Sequence, residues 1–161
     1  MQTPPTPAVA LSAALMVPAM GKDYAVSKKN PAIVLTIPDS WKVESIDYGF
    51  KAASAGDDVY FYLESTPAKG VDKMMALNDE WMKEQGIKPD GDPKVTEVNN
   101  PVKAKIFNFK AHDKDGPTNV SFTLIPSKDG VIMLTLWGSD EEQRKHNAEI
   151  DKIFGSIRAA N

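Results

Sequence analysis

The chain of 161 residues contains no cysteine and only two histidines, His112 and His146. Without cysteine there are no disulfides, thiolate metal sites or cysteine nucleophiles. The compartment stays open on that count. Two imidazoles leave a thin kit for acid–base chemistry or metal ligation. Excess positive charge is also missing. Nineteen Lys and Arg stand against 22 Asp and Glu, for a formal net charge of −3, so the basic footprint of a nucleic-acid binder is absent. No run is long and apolar enough to cross a bilayer as a helix, so no transmembrane segment is expected. Neither a G-x-S-x-G elbow, a P-loop nor a dinucleotide fingerprint occurs, and no cofactor is expected.

The composition that remains, 42% apolar and 25% charged, is that of an ordinary globular domain. Residues 1–22 read as a proline-rich and apolar arm, and residues 23–161 as a single domain. Met1 to Pro7, MQTPPTP, favours an extended polyproline-type tail. Ala8 to Met20, AVALSAALMVPAM, has the length of a signal h-region, and Val17-Pro18-Ala19 resembles a cleavage site. No Lys or Arg precedes Lys22, so the positive n-region is missing. The better-fitting reading is an added Met1 on a mature chain beginning at Gln2, with the apolar stretch a strand or packed arm. The expected location is periplasmic or secreted; the alternative is cytoplasmic.

The chain is organised around Lys103 to Trp137, which predicts a three-stranded meander. Lys105, Phe107, Phe109 and Ala111 share one side of the first strand; Ile106, Asn108 and Lys110 share the other. In the second, Val120, Phe122 and Leu124 alternate with Asn119, Ser121 and Thr123. Alternation of this kind marks a strand with one face on a core. The third strand is apolar on both sides, with Ile132, Leu134 and Leu136 against Val131, Met133 and Trp137, and is expected to be central. Gly116 and Gly130 stand where tight turns favour residues tolerant of positive φ.

Before the meander, Ile33–Ile37, a strand starting at Trp41, Phe50–Ala53 and Val59–Leu63 read as short strands with antiparallel neighbours. Val71 to Gln85 reads as a helix. Val71, Met74, Met75, Asn78, Trp81 and Met82 form its apolar stripe, and Gly86 its stop. Ile87 to Pro93 reads as loop and Lys94–Val98 as a further strand. After the meander, Ser139 and Glu142 have capping-box spacing. A closing helix follows, with Ile150, Ile153, Phe154 and Ile157 on its apolar face. No βαβ alternation is sustained. The fold class is therefore α+β, an antiparallel β-sheet flanked by two main helices.

The run Ile33 to Trp41, IVLTIPDSW, followed by KVE, resembles the PsbP/Mog-like fold group, whose members often carry a strand ending in Ile-Pro-x-x-Trp. Ile37, Pro38 and Trp41 carry the match, and the order of elements is similar from Asp23 to Arg158. The group includes photosystem II extrinsic subunits, a Ran-binding nuclear protein and many small exported bacterial proteins. The resemblance implies an α/β/α-like sandwich that binds partners and performs no chemistry. None of the group's partner-binding residues maps onto this sequence.

Candidate sites are few. His112, Asp113 and Asp115 lie on one predicted hairpin tip, and Asp-x-Asp-Gly resembles the opening of a calcium loop. The loop's later ligands are missing, and the same residues are common turn chemistry. Asp57-Asp58 and Asp90-Gly91-Asp92 also read as turns. His146 lies on the side of Ile150, with no partner constellation visible. Met74, Met75, Trp81 and Met82 read as core packing rather than an adaptable binding stripe. Tyr60 and Tyr62 share the strand face opposite Phe61, as possible partner-binding residues or as a cross-strand aromatic set. The leading functional expectation is a non-catalytic binding or accessory module, meeting an unidentified protein partner in the cell envelope. The alternatives are a small-ligand or lipid carrier, with a cavity between sheet and helix, and a metal-dependent enzyme. An enzyme would need a pocket joining His112 or His146 to carboxylates distant in sequence.

Overall fold

The structure, a computed structural model, describes residues 20–26, 33–67, 71–127 and 130–160. The expectations for residues 1–19 lie outside them. Eleven strands and three helices appear among the described residues, in the order β1 (Gly21–Val26), β2 (Ile33–Pro38), β3 (Lys42–Ile46), β4 (Gly49–Ala53), β5 (Tyr60–Thr66), α1 (Val71–Glu84), β6 (Lys88–Pro89), β7 (Lys94–Val98), β8 (Ala104–Asp113), β9 (Gly116–Ser127), β10 (Gly130–Gly138), α2 (Asp140–Lys145), α3 (Asn147–Gly155) and β11 (Arg158–Ala159). No helix among them is long and apolar enough to cross a membrane.

The large sheet has eight strands, ordered β3-β4-β5-β10-β9-β8-β6, with β7 pairing on the same edge of β8. Its pairings are antiparallel. The meander β8-β9-β10 is its middle. β10 lies between β5 and β9, which explains why both its faces are apolar. Gly116 has φ +115, as its turn requires. Gly130 serves close approach: a Cβ there would lie 2.0 Å from the Thr66 carbonyl oxygen.

Each face of the sheet covers a different core. Ile132, Leu134 and Leu136 of β10 join Phe61 and Leu63 of β5 against Leu35, Ile37, Ile150 and Ile153. On the opposite face Met133, Val120, Phe122 and Ala111 meet Met74 and Met82 of α1. Burying such side chains contributes roughly 1.5–3 kcal/mol each and is the main force holding the layers.

α1 follows its predicted stripe, with Met74, Asn78 and Met82 buried. It ends one residue before the predicted Gln85. Gly86, at φ +71, takes the left-handed position. The Ile87 N–H donates to Met82 and the Gly86 N–H to Lys83, and Ile87 and Met82 pack together in the core. This is the Schellman stop.

Three expectations are corrected. β2 does not neighbour β3; it pairs with β1 and β11 in a separate three-stranded sheet, β1-β2-β11. Pro38 and the turn at Asp39-Ser40 redirect the chain between sheets, and Trp41 is buried at that corner. The closing helix is two helices. Ser139 and Glu142 form the predicted capping box on α2, but the chain breaks at His146 before α3. Ile157 lies beyond α3, and Arg158 belongs to β11, which pairs with β2. The layers are thus α1, the large sheet, and a mixed layer of small sheet with α3, rather than one sheet between two helices. Finally, the predicted loop Ile87–Pro93 contains β6, which pairs Lys88 and Pro89 with His112 and Ala111.

Candidate functional site

α1 lies over β8, β9 and β10, and the strip of sheet toward β5, β4 and β3 is left open beside it. Side chains on that strip follow from strand alternation. Phe61 and Leu63 point into the core shared with α3. Tyr60, Tyr62 and Glu64 therefore point to the α1 side. The tyrosines form the expected aromatic set. Tyr60 stacks on its cross-strand partner Trp137, with ring centroids 5.4 Å apart. Tyr62 meets the edge of Trp81 on α1 at 5.3 Å, and Trp81 stands perpendicular to Trp137 at 5.6 Å. Such pairs contribute about 0.5–1.5 kcal/mol beyond area burial. The Lys51 ammonium sits 5.5 Å from the Tyr60 ring centre. Burial raises the phenol pKa of both tyrosines above the ordinary range.

This aromatic row separates two recesses. One, of about 590 Å³, runs along the flank of α1 and is lined by Met74, Leu77, Trp81, Tyr62, Tyr48 and Glu64, among others. Leu77 and Tyr48 are 51% and 69% exposed at its rim. Burial pushes the Glu64 carboxyl above the ordinary glutamate range. The other recess, of about 500 Å³, is polar. Tyr60 and Trp137 line it with Lys51, Asp57, Asp58 and Glu142.

The hairpin tip is turn chemistry. The Asp115 N–H donates to the Asp113 carboxylate at 2.8 Å, while His112 hydrogen-bonds Asp90. His112 and Asp113 are adjacent on β8 and project to opposite faces, so they do not converge. Asp113 and Asp115 border the polar recess. Among the described residues no group of three His, Asp or Glu is placed to hold a metal ion.

His146, for which the sequence offered no partners, has them in the fold. It is 6% exposed, and carboxylates stand at both ring nitrogens. Nε2 lies 3.1 Å from Asp58 Oδ2 and Nδ1 3.3 Å from Glu149 Oε1. Asp58 also accepts from the Lys145 ammonium at 2.9 Å. Glu149 accepts from the Trp41 indole at 2.7 Å and from the Ser40 hydroxyl at 3.0 Å. The Lys145 and His146 hydrogen bonds hold the Asp58 carboxyl below its ordinary value. For Glu149, burial pushes upward, but the bonds from Trp41, His146 and Ser40 outweigh it and the net shift is down. The Asp57-Asp58 turn is thus more than a turn. Asp58, 88 residues from His146, ties the β4–β5 loop to the α2–α3 junction. A histidine between two carboxylates is acid–base furniture in principle. Here, among the described residues, no hydroxyl hydrogen-bonds the ring, the ring does not line either recess, and both nitrogens are engaged. What the arrangement does is lock three segments at one corner. No local signal marked Asp58; the i, i+3 spacing of His146 and Glu149 was the one visible cue.

An antiparallel α+β sheet covered by α1 on one face and by a smaller sheet with α3 on the other is the PsbP-like fold. Among the solved structures that share it are two. The solution structure of cyanobacterial PsbP (CyanoP) from Synechocystis sp. PCC 6803 matches with a TM-score of 0.60 at 9% identity, over 88% of this chain and 94% of that one. The crystal structure of LpqN, involved in cell envelope biogenesis of Mycobacterium tuberculosis, matches with a TM-score of 0.52 at 17% identity, over 88% of this chain and 92% of that one. At these identities the likeness is one of fold. No family model and no curated protein matches the chain.

Proposed function

We propose that the chain is a non-catalytic binding module of the cell envelope, and that it binds through the α1 face of its large sheet. One observation carries the reading. The row Tyr60, Trp137, Trp81 and Tyr62 stands between two recesses on that face, while the opposite face is closed by α3 and the small sheet. Half-buried aromatics beside exposed apolar groups such as Leu77 and Tyr48 are the composition of a binding surface. The envelope setting is supported by the fold shared with LpqN, a protein of cell envelope biogenesis. The PsbP-like fold, as an accessory architecture, supports the non-catalytic part.

The test is affinity capture from an envelope extract with the wild-type chain, Tyr60→Ala, Leu77→Asp and, as a control on the far face, Lys152→Ala. The expected result is one stoichiometric protein retained by wild type and Lys152→Ala and lost by the other two. Retention by wild type and all three variants overturns the assignment of the face. A second reading, a small-ligand carrier, is favoured by the apolar lining and size of the α1 groove, since ligand pockets commonly occupy about 300–1,000 Å³.

A further inference from the structure

We propose that the groove between α1 and the β3–β5 edge of the large sheet binds a small cationic amphiphile, an ammonium group on an alkyl or aryl body, with the charged head at Glu64. The assignment rests on the reading of the α1 face as the binding face and adds the chemistry of what enters it.

The groove has an apolar wall and an aromatic one. Met74 and Leu77 line it from α1, Ile46 from β3, and Tyr62, Trp81 and Tyr48 supply ring surface. Its other charged liner besides Glu64 is Lys73, on the exposed side of the first turn of α1. No described residue forms an ion pair or hydrogen bond with Glu64. Its carboxylate is half-buried, and burial raises its pKa, which measures the cost of keeping the charge there. An entering cation relieves that cost. Space for the head is built in, because Glu64 stands opposite Gly49 in the β4–β5 pairing and Gly49 projects no side chain toward it. A Cβ at Gly49 would lie 1.8 Å from the Leu63 carbonyl oxygen, so the backbone geometry itself holds that position to glycine.

Charge selects among ligands of the same shape. A cation gains from the carboxylate and from the negative faces of Tyr62, Trp81 and Tyr48. A fatty acid of the same length places like charge beside Glu64. A neutral alcohol leaves the carboxylate desolvated and without a counter-charge. The groove is of small-ligand size at about 590 Å³.

The experiment uses the full chain at neutral pH with three matched probes, octylammonium, octanoate and 1-octanol, each below its aggregation threshold. Binding is followed by indole NMR shifts, which report on Trp81. The expected result is saturable octylammonium binding, at least about tenfold tighter than octanoate. Glu64→Gln should weaken octylammonium by about tenfold and leave 1-octanol unchanged. Equal affinity for octylammonium and octanoate on the wild-type chain overturns the charge assignment, and that comparison stands even if Glu64→Gln does not fold. An unchanged octylammonium affinity in a folded Glu64→Gln does the same. Binding of none of the probes overturns the groove as a small-ligand site, whereas failure of the α1 face as a whole is read from loss of variant dependence in the capture experiment.

Discussion

Deleting one indole N–H tests whether the His146 corner holds the fold together. Trp41→Phe keeps an aromatic ring and removes the donor that lies 2.7 Å from Glu149. A hydrogen bond to a charged acceptor contributes about 1.5–3 kcal/mol. The Glu149 side chain is 35% exposed, and solvent screening lowers this to about 1–2 kcal/mol. The smaller ring, at a site 5% exposed, adds a void worth about 1 kcal/mol. The expected loss is therefore about 2–3 kcal/mol, or about 4–12 °C in Tm for a chain of this size. Glu149→Ala strands the same buried indole N–H and costs about 2–3 kcal/mol. The bond can be lost only once, so the double variant should fall short of additivity by about 1–2 kcal/mol. Urea unfolding followed by far-UV circular dichroism reads all four proteins without depending on tryptophan count. Acid gives a second arm. The Glu149 carboxyl is held below its ordinary range by Trp41, His146 and Ser40 against the upward push of burial. A depressed carboxyl contributes stability that is present above its unfolded pKa and lost as pH falls through the folded one. The coupling should be full at pH 7 and fade below the ordinary glutamate pKa of about 4.3. Additivity within about 0.5 kcal/mol at pH 7 would refute the reasoning, and so would a coupling of the same size at pH 7 and pH 2.

Three further substitutions probe local devices by thermal or urea unfolding. Ser139→Ala removes the side chain that accepts from the Glu142 N–H and should cost about 1 kcal/mol; no change would mean that the capping box is ornamental. Gly86→Ala meets open space but must hold φ +71, so its cost should be about 1–2 kcal/mol and purely conformational, with Gly86→Asn milder. Gly49→Ala drives a methyl group into the Leu63 carbonyl and should destabilise by more than about 2 kcal/mol; a Tm equal to wild type would show that β4 shifts freely.

The parts legible in the sequence are those whose signal is local. Alternation placed Phe107, Phe109, Val120 and Phe122 on one face, and they are the ones that meet α1. The doubly apolar Ile132–Trp137 run was correctly central. Ser139 and Glu142, three residues apart, marked a helix start. What was not legible needed distance. Ile150, Ile153 and Phe154 all lie after His146, and α2 contains no apolar residue, so no stripe crosses the junction to register the break between α2 and α3. Asp58 and His146 converge only because the β4–β5 loop and the α2–α3 junction lie at the same end of the sheet. An amphipathic stripe states that a helix packs, not which strands it covers, so the open strip beside α1 was invisible, and with it the half-buried setting of Glu64. The Tyr60/Tyr62 pair was found by alternation alone, but its partners Trp81 and Trp137 came from two other elements.

The width of the sheet explains why such a strip exists. Strands lie about 4.8 Å apart, so seven neighbours in a path span about 30 Å. One helix with its side chains is about 10–12 Å wide. α1 therefore cannot cover its face, and the uncovered strands need either a polar surface or something to bind. On the far face a second sheet and α3 share the task, and Phe61 and Leu63 are closed over. On the α1 face the alternate residues of β5 are Tyr60, Tyr62 and Glu64, neither a uniformly polar surface nor a sealed core. Solubility alone is met by Lys, Thr and Glu on such a strip. Two tyrosines stacked against two tryptophans, with a half-buried carboxylate facing a glycine, exceed that need, and the excess is the ground for the proposed binding face.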